Sequence, residues 1–261
     1  MHILKNKNYC KYFLGQLVSM SGTWMQSVAL SWLVFRLSHS GYWLGIMYFC
    51  SQMPAFFLSP IAGVVVDRVP RRRILIAVQI FAAVQALLLA WLVFSGKVEL
   101  WQVVLLEIGI GMITAFDITA RHAFAIDMVG RGDLSSAIAY NSLILNSSRV
   151  FGPILAGVAL AAFGEAWCFM LNGLSYIPVI VGLATMDIVV RPKTRNGYSV
   201  AKQFSEALKY VSRSPLIRRA LIFSVLICLV PSSFAVLLPV FAKQVLAGGR
   251  RPWLGSPEWL V

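Results

Sequence analysis

Gly63-Val64-Val65-Val66-Asp67-Arg68-Val69-Pro70-Arg71-Arg72-Arg73 is a cationic turn set between two long apolar runs. One acid and four arginines crowd into residues 67–73, while the runs on either side carry almost no charge. A tight basic turn between two hydrophobic runs fits a short loop on the cytoplasmic side of a membrane. Gly63 is placed to let a neighbouring helix come close. Asp67 is placed to accept hydrogen bonds from a helix N-terminus or an arginine fork.

The rest of the chain supports a membrane setting. Of its 261 residues 59% are hydrophobic and 13% charged, with a mean hydropathy of +0.76. A soluble domain of this length needs far more polar surface. A net charge of +13 would suit a nucleic-acid binder. Here the basic residues fall in loops between apolar runs, so positive-inside topology and anionic headgroups explain them, and no nucleic-acid partner is expected. Cys10, Cys50, Cys168 and Cys228 are scattered, without metal or redox spacing. His2, His39 and His122 lie at or outside the expected membrane faces. No glycine-rich nucleotide loop, zinc motif or hydrolytic triad appears. The chain therefore reads as a non-enzyme without cofactor or metal.

A spanning helix needs about 20 mainly apolar residues. Seven runs qualify, over about 12–35, 42–66, 74–95, 100–120, 136–163, 166–189 and 216–241. With the N-terminus inside, seventeen of the 23 Lys and Arg fall on the inner side and five on the outer, which predicts a cytoplasmic N-terminus. Short turns near Gly96 and Gly164 predict that consecutive helices are antiparallel neighbours. Residues 1–189 read as a six-helix transmembrane bundle and 190–215 as a cytoplasmic linker. In the linker Val200, Ala201, Phe204, Ala207, Leu208 and Val211 share one helical face, between a Ser199 cap and a Pro215 stop. That pattern predicts an amphipathic helix on the inner membrane surface. Residues 216–242 read as a seventh span. Residues 243–261 have no helical period and read as the end of a truncated or frameshifted chain.

Ionisable groups inside spans are costly and draw attention. Arg149 sits near the middle of the fifth span, with Glu107 in the fourth. An Arg149–Glu107 pair is expected, either as part of proton coupling or as a fixed pair that sets helix register. Asp117, near the inner end of the fourth span, can pair with Arg71 or with Arg121 one turn on; Arg71 is the favoured partner. Gly152, Pro153 and Gly157 of the fifth span suit close helix contact and a loosened backbone ladder. Trp24, Gln26, Asn141, Asn146 and Tyr176, with Gln16, Met25, Ser27 and Asn172, suit either a solvated cavity for a bulky apolar substrate or interhelical hydrogen bonds.

Three motifs carry a family resemblance. The Gly63-x-x-x-Asp67-Arg68-x-x-Arg71-Arg72 spacing resembles the loop between the second and third helices of the major facilitator superfamily of transporters. Gly152-Pro153-x-x-Ala156-Gly157 resembles its antiporter motif, Gly-Pro-x-x-Gly-Gly, with Ala156 as a departure. The segment Phe116-Asp117-Ile118-Thr119-Ala120-Arg121-His122-Ala123-Phe124, followed by Asp127-Met128-Val129-Gly130-Arg131-Gly132-Asp133-Leu134, is similar to a subgroup of siderophore exporters and macrolide or multidrug efflux pumps. Thr119 stands where that subgroup often has proline. The resemblance runs over about residues 1–248.

The resemblance implies an all-α polytopic membrane protein, the N-terminal six-helix bundle of the major facilitator fold plus a seventh transmembrane helix. It implies proton-coupled export of hydrophobic small molecules across the cell inner or plasma membrane by alternating access, with a C-terminal bundle needed for transport. It makes Asp117 the acid of a cytoplasmic charge lock. Many members place an arginine early in the fourth helix, where Glu107 stands here, so the relay residue is not carried over. Glu107 and Asp117 remain as coupling candidates. The alternative is a non-transporting interaction protein or inactive fragment that uses half of the fold.

Overall fold

Residues 7–130, 132–186, 209–220 and 223 are described by the structure, a computed structural model of the chain. Six α-helices follow in order: α1 (Lys7–Ser38), α2 (Gly41–Arg68), α3 (Arg71–Phe94), α4 (Leu100–Val129), α5 (Leu134–Phe163) and α6 (Glu165–Ala184). No strand occurs among the described residues. The expected tail, and most of the linker and seventh span, lie outside the described residues. Where the linker is described it is helical over 209–213 and again over 215–220, with Ser214 between. Pro215 both ends one helix and opens the next, because the residue before a proline avoids helical geometry while proline suits a first helical position.

The turns follow from local chemistry. Only Val69 and Pro70 separate α2 from α3, and Val69 is extended (φ −108°, ψ 145°), as a residue before proline prefers. The α4 start is closed by a capping box: the Glu99 N–H donates to Gln102 Oε1 at 2.9 Å. Gly164 (φ 85°) ends α5 and opens α6 in the left-handed region, where a side chain would be strained. α4 continues to Val129, well past the expected end near residue 120. The apolar run stops there, but nothing after it breaks a helix until Gly130.

Helices α2 to α6 are each long and apolar enough to cross a membrane. α1 falls short by composition although it has 32 residues. Its polar side chains include the buried Gln16, Ser19 and Gln26, so it is held at the centre of the bundle by packing rather than by hydropathy. α1 packs on α5 and α6, α3 on α4 and α6, and α2 on α4. Consecutive helices are therefore not always neighbours. α3 and α4 do pack, α5 and α6 touch lightly, and α2 and α3 scarcely meet.

Backbone approach selects these pairs. Within lipid an apolar side chain gains little by contacting another helix, so small residues decide where helices meet. A Cβ on Gly111 would collide with the Ser51 carbonyl of α2, and one on Gly152 with Trp24 Cβ of α1. One on Gly22 would lie 2.6 Å from Asn172 Oδ1 and Ser175 Oγ of α6. Gly63 and Gly157, expected to do the same work, have open space around them among the described residues.

Two large apolar clusters and two small ones result among the described residues. One large cluster gathers Leu33, Phe35, Leu44, Met47, Leu89 and Phe169. The other gathers Tyr12, Val66, Leu75, Val78, Phe124 and Leu183. The second cluster lies at the end of the bundle that carries the arginine turn. At the opposite end Arg36 pairs with Glu165 at 2.6 Å.

Candidate functional site

The arginine turn ties four helices together, α2, α3, α4 and α6. Arg71, at the first position of α3, donates from Nη1 to Asp127 Oδ1 at 2.6 Å and to the Ala123 carbonyl at 2.8 Å, both on α4. Its Nη2 lies 3.8 Å from Asp67 Oδ1 at the end of α2. Arg72 donates from Nε to the Leu183 carbonyl at 2.6 Å and from Nη2 to the Ala184 carbonyl at 2.5 Å. It thereby caps α6, whose last carbonyls have no partner within their own helix. Arg68 and Arg73 are exposed and form no ion pair among the described residues.

Asp117 is not the partner of Arg71. It pairs with Arg121, one turn along α4, and Gln79 Nε2 donates to its Oδ1 at 3.4 Å. The extra length of α4 explains the correction. Asp127 lies ten residues beyond Asp117, about 15 Å farther along the axis, and it is Asp127 that reaches the turn. Arg121 Nη1 also donates to Gln16 Oε1 of α1 at 2.9 Å. Around this pair Tyr12 Oη, Gln16 Nε2, Gln79 Oε1 and Arg121 Nε are buried without a hydrogen-bond partner.

A second polar layer crosses the middle of α1, α3 and α6. Gln26 Nε2 donates to Gln85 Oε1 at 3.2 Å, and Asn172 Nδ2 donates to Gln26 Oε1 at 2.7 Å. Thr23 Oγ1 and Tyr176 Oη lie 3.3 Å apart. Gln26 and Tyr176 are buried inside the bundle. Both make interhelical hydrogen bonds, as the second alternative expects. The bonds form there because Gly22 lets α6 come close enough for its Asn172 to meet α1.

The expected Arg149–Glu107 pair does not form. α4 and α5 scarcely touch, and no ion pair joins the two residues. Glu107 is buried on the stripe Val103, Glu107, Gly111, Ala115, the stripe whose Gly111 meets α2. It has no ion pair or hydrogen bond among the described residues. Arg149 turns instead toward α1, with its guanidinium carbon 5.3 Å from the centroid of the half-buried Trp24 ring. Gly152, one turn on, sits against Ser21, Trp24 and Met25, and Ser21 Oγ donates to Ser148 Oγ at 3.3 Å.

The residues of α5 that stay exposed divide into two faces. Ser142, Asn146, Arg149 and Pro153 are exposed and recur at helical spacing, so they form one stripe beside α1. Phe151, Ile154, Leu155 and Val158 are exposed on another side. Asn146 donates from Nδ2 to the Ser142 carbonyl at 2.9 Å, and Asn141 is half-buried nearby in sequence. Composition alone did not reveal the stripe; the four-then-three spacing of its polar residues could have.

The sequence pattern of the transmembrane secretion effector family matches residues 3–253. The chain is 26% identical over 240 residues to the staphyloferrin A transporter of Staphylococcus aureus, covering 91% of this chain and 60% of that protein. It is 24% identical over 212 residues to an uncharacterized transporter of the same superfamily, YfiS of Bacillus subtilis, covering 79% and 50%. It is 24% identical over 233 residues to the enterobactin exporter EntS of Salmonella typhi, covering 89% and 56%. The chain thus spans half to three-fifths of the length of these relatives. No solved structure matches.

Proposed function

Because the chain belongs to the transmembrane secretion effector family of major facilitator transporters, we propose that its bundle is one unit of an exporter. The exporter moves small organic molecules of the siderophore or drug type out of the cell by alternating access. Two six-helix units rock about a site at mid-membrane, and this bundle supplies one wall of it. The basic end, with the α2–α3 turn, faces the cytoplasm.

The observation that carries this reading is the polar stripe on α5. Arg149 is exposed at the midpoint of a membrane-length helix. A guanidinium facing lipid at that depth costs about 2.5–3.5 kcal/mol on insertion scales. A wet cavity or an opposing protein surface removes that cost, so the stripe marks the side where the second unit and the transport path lie. The contacts at the basic end suit the same cycle. Arg71, Asp127 and Asp67 lock α2, α3 and α4 together in one state and release as the units rock. Gly152 seats α5 on α1, and Pro153 leaves a backbone carbonyl without its usual ladder partner, which gives α5 a place to bend.

Protons supply the driving force in this scheme. Glu107 is the carboxyl that a coupling proton would occupy, since it is buried without a counter-ion among the described residues. Asp117 is already committed to Arg121.

Liposomes loaded with staphyloferrin A or enterobactin test the proposal. They would carry either the 261-residue chain alone or the chain fused to the C-terminal part of the staphyloferrin A transporter. The fused form is expected to export one of these when a pH gradient is imposed, and Glu107→Gln is expected to abolish the response to the gradient. Export by neither form would end the transport reading. Export by the chain alone would end the requirement for a second unit.

A further inference from the structure

Arg149 has an electrostatic position unlike that of the other guanidinium groups inside the bundle. Arg71, Arg72 and Arg121 each spend their donors on carboxylates, carbonyls or an amide oxygen. Arg149 makes no ion pair or hydrogen bond among the described residues, and its guanidinium lies over the face of Trp24. A contact between a cation and a ring uses the charge but leaves the N–H donors uncommitted. Those donors form a planar fork that matches a carboxylate or a similar oxyanion.

The surroundings restrict what can answer that fork. Asn146, one turn before Arg149, has its amide N–H directed to Ser142, so its side-chain oxygen adds no cation. Glu107, the acid expected to neutralise Arg149, lies on the α2-facing stripe of α4. Trp24 supplies a flat apolar surface directly beside the charge. Ser27 and Thr23 are exposed on α1 and are neutral.

We propose that Arg149 and Trp24 form a recognition site for an organic anion, a molecule that carries a carboxylate or comparable oxyanion next to an apolar ring. This deepens the export reading and rests on it: the transported compounds are amphipathic anions rather than simply hydrophobic. The guanidinium holds the oxyanion, the indole holds the apolar part, and a cationic compound of the same shape is repelled.

Equilibrium dialysis against the chain in lipid nanodiscs tests the assignment, with empty discs as the reference. The probes are 1-naphthoate, 1-naphthamide and 1-naphthylmethylamine, which share an apolar body and differ in charge. Naphthoate is expected to bind more tightly than naphthamide by about tenfold or more, the worth of a charge-assisted hydrogen bond. Arg149→Met and Arg149→Gln, two variants of different polarity, are each expected to erase that advantage. Arg149→Lys is expected to keep only part of it, since an ammonium has no fork. Trp24→Leu is expected to weaken naphthoate and naphthamide together.

Equal binding of naphthoate and naphthamide would overturn the proposal. So would an anion preference that survives both Arg149→Met and Arg149→Gln, or tightest binding of the amine. The dialysis reads binding and the liposome assay reads export, so the two failures separate. Loss of anion preference in a chain whose fused form exports defeats only the anion site. Anion preference without export defeats only the transport reading.

Discussion

The basic end of the bundle and the middle of α5 treat the same chemical group in opposite ways. At the basic end Arg71 binds Asp127 and the Ala123 carbonyl, and Arg72 closes the last carbonyls of α6. Arg71 joins α3 to α4 and α2, and Arg72 joins α3 to α6. At the middle of α5 Arg149 is exposed and rests against Trp24 without a counter-ion among the described residues. Charges at the first place hold the bundle together; the charge at the second is left available for something outside it. An arginine in a membrane helix is therefore not structural by default. Its partners, or their absence, separate scaffold from site.

Stability measurements distinguish the two regions. The largest loss is expected from Asp117→Ala, which strands Arg121 inside the bundle among polar atoms that already lack partners. Removing one member of a buried pair costs about 3–5 kcal/mol, and denaturant unfolding in micelles should read a loss of about 3 kcal/mol given the partial exposure here. A loss under about 1 kcal/mol would mean that solvent already reaches the pair.

Gly152→Val comes next. Its side chain has no room against Trp24 and Ser21, and overpacking of this kind costs about 1–3 kcal/mol. Gly157→Val, with open space around it, should cost far less in the same assay. Equal losses at the two glycines would undo the assignment of Gly152 as the α1–α5 contact. Arg71→Ala should cost about 1–2 kcal/mol, because a charge-assisted bond and a carbonyl bond are lost while Asp127 remains open to water. Arg149→Met should be nearly silent, within about 0.5 kcal/mol, as for an exposed residue without bonding partners. If Arg149→Met proved as damaging as Arg71→Ala, the division between the two regions would disappear.

Helices α2 to α6 were legible because membrane-length apolar runs leave few alternatives, and the α2–α3 turn because proline and charge both punctuate it. Helix partners were less legible. Gly22, Gly111 and Gly152 choose neighbours by contact, whereas Gly63 and Gly157 look the same in sequence and touch nothing among the described residues. The Asp117–Arg71 expectation failed because hydropathy marks where an apolar run ends, not where a helix ends, and α4 carries Asp127 on to the turn. Glu107 and Arg149 stay apart because adjacency in chain order does not impose contact: α4 turns to α2 and α5 to α1. Gln26 and Tyr176 have the composition of cavity residues, and only packing shows that their polar groups satisfy one another's neighbours across α1, α3 and α6.

Thiol labelling across α5 tests the water-facing stripe most directly. With Cys10, Cys50, Cys168 and Cys228 replaced by serine, single cysteines would be placed at Ser142→Cys and Asn146→Cys on the stripe, and at Phe151→Cys and Leu155→Cys on the apolar face. A membrane-impermeant maleimide would then be added to the chain in bilayer vesicles permeabilised so that the reagent reaches both faces. The two stripe positions are expected to react and the two apolar positions to stay protected. Labelling of Phe151→Cys and Leu155→Cys with protection of Asn146→Cys would place Arg149 against lipid and contradict the account.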